Sequence, residues 1–209
     1  TFEEMLEMAS AGAKVLETRS VAMAMRHNVN LQVRSSFTSD EGTMVVDEDN
    51  DMEKQKISGI AYSRDEAKVT LVGLPDKPGI AATIFEKLAE NHINVDMIVQ
   101  SASPDKSRTD ITFSVGALNA DKAVACLKTI EADLEYKDIV SDPDVAKVSI
   151  IGTAMRSQPG IAKTMFSVLV EKGINLHVIS TSEIKISVLI DADYTELAVR
   201  SLHDAFGLE

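Results

Sequence analysis

Two stretches of this 209-residue chain combine backbone and side chains that could hold a small charged molecule. The first joins the loop PDKPGIA at 75–81 to the segment INVDMIVQ at 93–100. Pro78 stands where a helix begins and a missing N–H costs little. Gly79 permits close backbone approach, and the amides of Ile80 and Ala81 point out of the helix N-terminus. Such a terminus attracts an anion through its free N–H groups and the peptide dipole, and a carboxylate suits it. Asp76, in the same loop, offers a counter-charge for an ammonium group. Asn94 and Asp96 open the next strand, and Gln100 follows on the same face, at spacings of two and four. Their amide and carboxylate groups suit an α-amino group or a polar side chain. Together these residues meet the requirements for holding a free amino acid. The same spacing also describes an ordinary Pro-Gly turn followed by a solvated Asn and Asp.

The second stretch joins the loop MRSQPGIA at 155–162 to ISTSEI at 179–184. Ile179, Ser180, Thr181, Ser182 and Glu183 crowd hydroxyls and backbone at a strand end and a tight turn. They would face a ligand, a neighbouring sheet edge or, as a plain hairpin, water.

Other chemistry finds little support. The four histidines are scattered without ligand spacing, so no metal site is expected. Cys126, the one cysteine, falls on an amphipathic helix and reads as a core thiol. No GxGxxG, GxxxxGK[ST] or GxSxG pattern occurs, and no residue is assigned a catalytic role. Asp and Glu total 33 against 21 Lys and Arg, a net charge of −12, which argues against nucleic acid or an anionic membrane as partner. Aromatics are 4% of the chain, too few for base-stacking platforms. No apolar run of 18 residues is present to span a membrane. A cytoplasmic protein is expected.

The elements that must position these residues come as a repeat. KVTLVG (68–73) matches KVSIIG (147–152), and PGIAATIFEKLAENHINVDMIVQS (78–101) matches PGIAKTMFSVLVEKGINLHVISTS (159–182). DITFSV (110–115) then matches KISVLI (185–190), and ADKAVACLKTI (120–130) matches TELAVRSLHDA (195–205). The fold class is α+β, with two ferredoxin-like βαββαβ units. LEYKDIVSD (134–142) closes the first unit, at 64–141. The second, at 142–209, lacks a fourth strand. KISGIAYS (56–63) is expected to supply it, which would insert the first unit within the second; the alternative is that it extends the first unit or links domains. FEEMLEMASAGAKVL reads as a helix, RSVAMAMRHN as another and VNLQVRSSF as a strand. Residues 1–37 thus form the end of another domain, followed by an acidic linker over 38–55.

These segments resemble tandem ACT domains, regulatory modules that bind free amino acids. RSVAMAMRHNVNLQVRSSF, VTLVGLPDKPGIAATIF, INVDMIVQ, TDITFSV, VAKVSIIGTAMRSQPGIA and ISTSEIKISVLI together resemble the C-terminal part of bacterial aspartate kinase across nearly the whole chain. One departure is Thr18 before Arg19, where that family is expected to carry Pro. The resemblance implies a parent enzyme that phosphorylates the side-chain carboxylate of L-aspartate, using ATP and Mg in a kinase domain whose last elements are residues 1–37. This part would carry no cofactor and would not be catalytic alone. It would bind lysine and/or threonine and impose feedback inhibition. The effector-contacting positions implied are Asp76, Gly79, Ile80, Ala81, Asn94, Asp96 and Gln100, with Ile179, Ser180, Thr181, Ser182 and Glu183 in the second unit. Association as an ACT-mediated homodimer, or with a kinase-bearing subunit, is implied too. A stand-alone ACT sensor serving another biosynthetic enzyme is the alternative. A catalytic reading lacks a nucleotide loop, and an RNA-binding βαββαβ module would need aromatics and a basic face.

Overall fold

The computed structural model describes residues 1–47, 57–102, 107–156 and 158–208. Its contacts divide the chain into two units. The inserted unit comprises Arg64–Ala146 with Leu189–Asp193; the split unit comprises Thr1–Ser63, Lys147–Val188 and Tyr194–Glu209.

Two long strands contribute to both units: β3 (Gly59–Pro75) and β6 (Asp138–Ile151). Ser58 N–H donates to the Ile151 carbonyl (2.8 Å), and Lys137 N–H donates to that of Val72 (2.8 Å), so the strands run antiparallel. GIAYS (59–63) and KVTLVG, read as parts of separate strands from sequence, are therefore parts of one 17-residue strand. The expected domain boundary at 141/142 falls inside β6.

The inserted unit runs β3, α3 (Ile80–Glu90), β4 (Val95–Ala102), β5 (Arg108–Val115), α4 (Ala120–Lys128), α5 (Glu131–Leu134), β6. Its sheet order is β4-β5-β3-β6, the split βαβ arrangement. Ile80, Ile84 and Leu88 recur at helical spacing and bury one face of α3 in a core with Leu71, Ile111, Phe113 and Leu127. Phe85 meets Phe113 edge-on at 5.9 Å. The repeat segment 120–130 does not form one continuous helix: α4 stops at Lys128 and α5 starts at Glu131. The Thr129 hydroxyl donates to the Cys126 carbonyl (2.6 Å) there, competing with the helical ladder. Glu135 then adopts a left-handed φ of 52°, and the strand expected from Leu134 begins at Asp138. The connection between β4 and β5 at 103–106 lies outside the described residues.

In the split unit, the end of β6 leads through α6 (Ile161–Glu171), β7 (Val178–Thr181) and β8 (Lys185–Asp191) to α7 (Thr195–Phe206). The sheet order is β3-β6-β8-β7, so the start of β3 occupies the fourth-strand position that the repeat leaves empty. Met165 and Leu169 of α6, Ala198 and Leu202 of α7 and Ile186 and Val188 of β8 are buried.

The split unit also holds α1 (Phe2–Ser10), α2 (Thr18–Arg26) and a two-stranded sheet of β1 (Leu31–Val33) and β2 (Thr43–Val45). The helix expected to reach Leu16 ends at Ser10 because Gly12 turns to φ +112°. The acidic linker expected over 38–55 is corrected: it contains β2, whose β-branched Thr43 and Val45 pair with Val33 and Leu31. Val45 completes a small core with Phe2, Val21 and Ala24. Residues 48–55 of that stretch lie outside the described residues. Among the described residues no helix is long and apolar enough to cross a membrane.

Leu88 is fully buried in α3. Leu88→Ala should cost about 2–5 kcal/mol, read by urea denaturation as an earlier transition of the inserted unit.

Candidate functional site

Each unit presents the same device at the start of its first helix. Gly79 precedes α3 with φ +99° and ψ −21°; Gly160 precedes α6 with φ +99° and ψ −8°. A Cβ at either position would meet nothing within 4 Å, so glycine is required there by backbone conformation and not by crowding. No side chain caps either helix. The first amides of an α-helix have no partner four residues back, so both termini present donors outward. Behind them the ladder is anchored: Thr83 and Thr164 donate N–H to the Gly79 and Gly160 carbonyls at 3.0 and 2.9 Å.

In the inserted unit, Asp76 N–H donates to the Ser107 carbonyl (3.1 Å), tying the loop to the start of β5. Asp76, Gly79 and Ala81 are exposed, whereas Ile80 is buried and holds the terminus in place. Asn94, Asp96, Ile98 and Gln100 all lie on the open face of β4, an edge strand. The register settles where they stand. Val95 lies opposite Val115, which lies opposite Ala67; Ala102 lies opposite Thr109, which lies opposite Leu74. Asn94 and Asp96 are thus at the level of Ala67, while the ligand loop follows Pro75. Ala67 to Pro75 is eight residues, about 26 Å of strand. Within one chain, Asn94 and Asp96 therefore stand toward the opposite end of the sheet from the Gly79 terminus. α3 carries the chain back to the far end of the sheet before β4 begins. Gln100, level with Leu71, is nearer the loop.

The split unit does bring its two stretches together. Gly152 N–H donates to the Ile184 carbonyl (2.9 Å), and Arg156 Nε lies 3.4 Å from Glu183 Oε2. Ser182 N–H closes the β7–β8 turn on the Lys185 carbonyl (2.8 Å). Ile179, Thr181, Ser182 and Glu183 are exposed and Ser180 is half-buried. A separate cavity of about 810 Å³ opens at the N-terminus of α6, lined by Gln158, Gly160, Lys163 and Thr164 with Asp204 and Phe206 of α7. None of 179–183 lines it.

Sequence reasoning missed the residues that support this end. Glu4 of α1 is buried, and its Oε1 accepts from Ser58 Oγ (2.7 Å) and Thr153 N–H (2.7 Å). Burial pushes its carboxyl up, while the hydrogen bonds from the Ser58 hydroxyl and the Thr153 amide pull it down. Burial raises the Cys126 thiol, which donates to the Ala123 carbonyl as a core group. Among the described residues no three His, Cys, Asp or Glu side chains gather as metal ligands.

Two predictions follow from this geometry. Gly79→Ala adds no clash, so its cost is the left-handed backbone alone, about 1–2 kcal/mol, seen in chemical denaturation. Glu4 is buried, and its Oε1 accepts from both Ser58 Oγ and the Thr153 amide, so removing it leaves a buried donor unsatisfied. Glu4→Ala should therefore cost about 1–3 kcal/mol, read by urea denaturation at pH 7.

Known proteins share this architecture. The ACT domain family matches residues 69–129 and 148–206. The aspartate kinase of Pseudomonas putida is 48% identical over 210 residues, covering 100% of this chain and 51% of the relative. The chain thus spans about half the length of the curated relatives it matches. The ligand-free regulatory subunit of aspartate kinase from Thermus thermophilus is 41% identical, over 73% of this chain and 99% of that one, with a TM-score of 0.68. Escherichia coli aspartokinase III, in complex with aspartate and ADP, is 25% identical over 98% of this chain and 45% of that one, with a TM-score of 0.80. The chain belongs to the ACT-domain family and matches the regulatory part of aspartate kinases.

Proposed function

We propose that this chain is the amino-acid-sensing region of an aspartate kinase, and that it binds lysine and/or threonine to feedback-inhibit ATP-dependent phosphorylation of L-aspartate. The observation that carries this reading is the pair of uncapped helix N-termini at Gly79 and Gly160, built alike in both units. Each offers outward amides to a carboxylate. A net charge of −12 and the Asp96 carboxylate of β4 suit the cationic end of the same molecule. The catalytic work is assigned to the other half of the parent, with residues 1–37 as the tail of its kinase domain and the cytoplasm as its setting. The ATP and Mg of the parent enzyme are assigned to that other half as well.

The separation of Asn94 and Asp96 from the Gly79 terminus supports a site shared between two copies. β4 is an edge, and an unpaired edge pairs readily with another strand. Antiparallel pairing of β4 with its symmetry mate, centred on the exposed Ile98, brings residue 94 of one copy level with residue 102 of the other. Residue 102 is level with Leu74, just before the ligand loop. Asp76, Gly79, Ile80, Ala81 and Gln100 of one subunit then face Asn94 and Asp96 of the partner subunit. Ile179–Glu183 form the second candidate end. Joining a kinase-bearing subunit, in keeping with the Thermus relative being a regulatory subunit, is compatible with this pairing.

Calorimetric titration with L-lysine and L-threonine, singly and together, tests the reading. Binding should be lost with the carboxamides, which keep the side chain and remove the anion; equal affinity for acid and amide would reject the helix-terminus assignment. Ala81→Val and Asn94→Ala should each weaken binding at least tenfold. Mixing the two variants should restore roughly a quarter of the sites, because mixed dimers hold one intact composite site. No recovery on mixing, or a monomer by light scattering at high concentration with ligand, would reject the shared site.

A further inference from the structure

We propose that Glu4 is a positioning residue for the second ligand end, joining helix α1 to the segment that leads into Gly160. Its meaning for sensing rests on the reading above; the positioning itself does not. Glu4 is 6% exposed, and a buried charge is tolerated only when its lone pairs are satisfied. One oxygen takes both Ser58 Oγ at the approach to β3 and the Thr153 amide at the end of β6, while the other takes Thr1 Oγ1 (3.1 Å). Thr153 opens the short turn Thr153–Arg156 that leads toward α6. Moving that turn away strands a buried carboxylate, and moving α1 strands a buried amide, so neither shifts alone.

The neighbouring charges repeat the link. Arg156 stands between Glu3 of α1 (2.7 Å) and Glu183 of the β7–β8 turn (3.4 Å), and Lys185 reaches Glu7 (2.8 Å), one helical turn beyond Glu3. These pairs are partly exposed and individually weak, which leaves Glu4 as the strong contact. α1 is also fixed on both sides. Phe2 enters the small core with Val21, Ala24 and Val45. Met8 and Ala11 pack against Ala61 and Ile151, and at Gly12 a Cβ would run into the Tyr62 carbonyl. A ligand that engages Glu183 or the loop before α6 must therefore work against contacts that α1 shares, and α1 biases that ligand by the same amount in return.

Amide hydrogen exchange on the 209-residue chain tests this. Without ligand, Glu4→Ala should raise exchange at 153–156 and 57–60 by about tenfold to a hundredfold and leave β8 protected. Glu4→Gln keeps an acceptor oxygen and should recover part of the loss. Unchanged exchange at 153–156 in Glu4→Ala, or a Gln variant no better than Ala, overturns the proposal. Should Glu4→Ala lose protection at β8 as well, Ser58→Ala decides: it removes one donor and no charge, and should raise exchange at the same two segments to a smaller degree; no rise overturns the proposal. With saturating L-lysine or L-threonine, residues 2–10 and 155–162 should respond together, and Glu4→Ala should silence 2–10 alone. A response confined to 155–162 in the unaltered chain counts against the coupling. No response to either amino acid, with the ligand-free effects intact, would reject the sensing of these two amino acids and uphold the positioning.

Discussion

Backbone pairing along β3 and β6 sets what everything else in this chain can do. A strand must place every N–H and C=O, and these two meet that demand by serving as one another's neighbour from Ser58–Ile151 to Val72–Lys137. Because each is long enough to reach into both units, neither unit has a complete sheet without them. The helices, the glycine turns and the edge strands are consequences of where β3 and β6 end. Pro75 ends one, and the loop to α3 starts there; Ile151 ends the other, and the loop to α6 starts there.

A common geometry therefore recurs at two places with different surroundings. At Gly79 the loop is tied to β5 through Ser107, and β4 beyond it is open. At Gly160 the approach is held by Glu4 and by an arginine shared with the β7–β8 turn. The helix N-termini are alike, but one is free to be completed from outside and the other is already bound to α1. A chain with two equivalent-looking repeats need not have two equivalent sites.

Much of this was legible in the residues. The repeat located both helices and their glycines, and the missing strand of the second copy pointed to the segment before Lys68, because a βαββ remnant leaves an unpaired edge. Three features were not legible, each for a physical reason. β2 hides in an acidic stretch because three residues, Thr43–Val45, are too few to show a period. The offset along the sheet between Asn94 and the Gly79 loop, about 26 Å of strand, is invisible to spacing, which gives the face of a strand but not the end of the sheet from which it starts. Glu4 looked like one carboxylate among several on a helix. Its partners lie 54 and 149 residues away, and no local pattern reports them.

The chain leaves the split unit on β3 and returns on β6, and these strands are hydrogen-bonded neighbours. The exit and re-entry points are thus close enough for a short turn to bridge. The stretch from Arg64 to Ala146 is, in genetic terms, close to a cassette, with only Leu189–Asp193 of its unit supplied by the later chain: it could be exchanged for a homologous sensor of different specificity at the same two strands. Such nesting offers a direct route by which duplication of one module yields a receiver whose ligand preference evolves separately from the connection it makes to the rest of the protein.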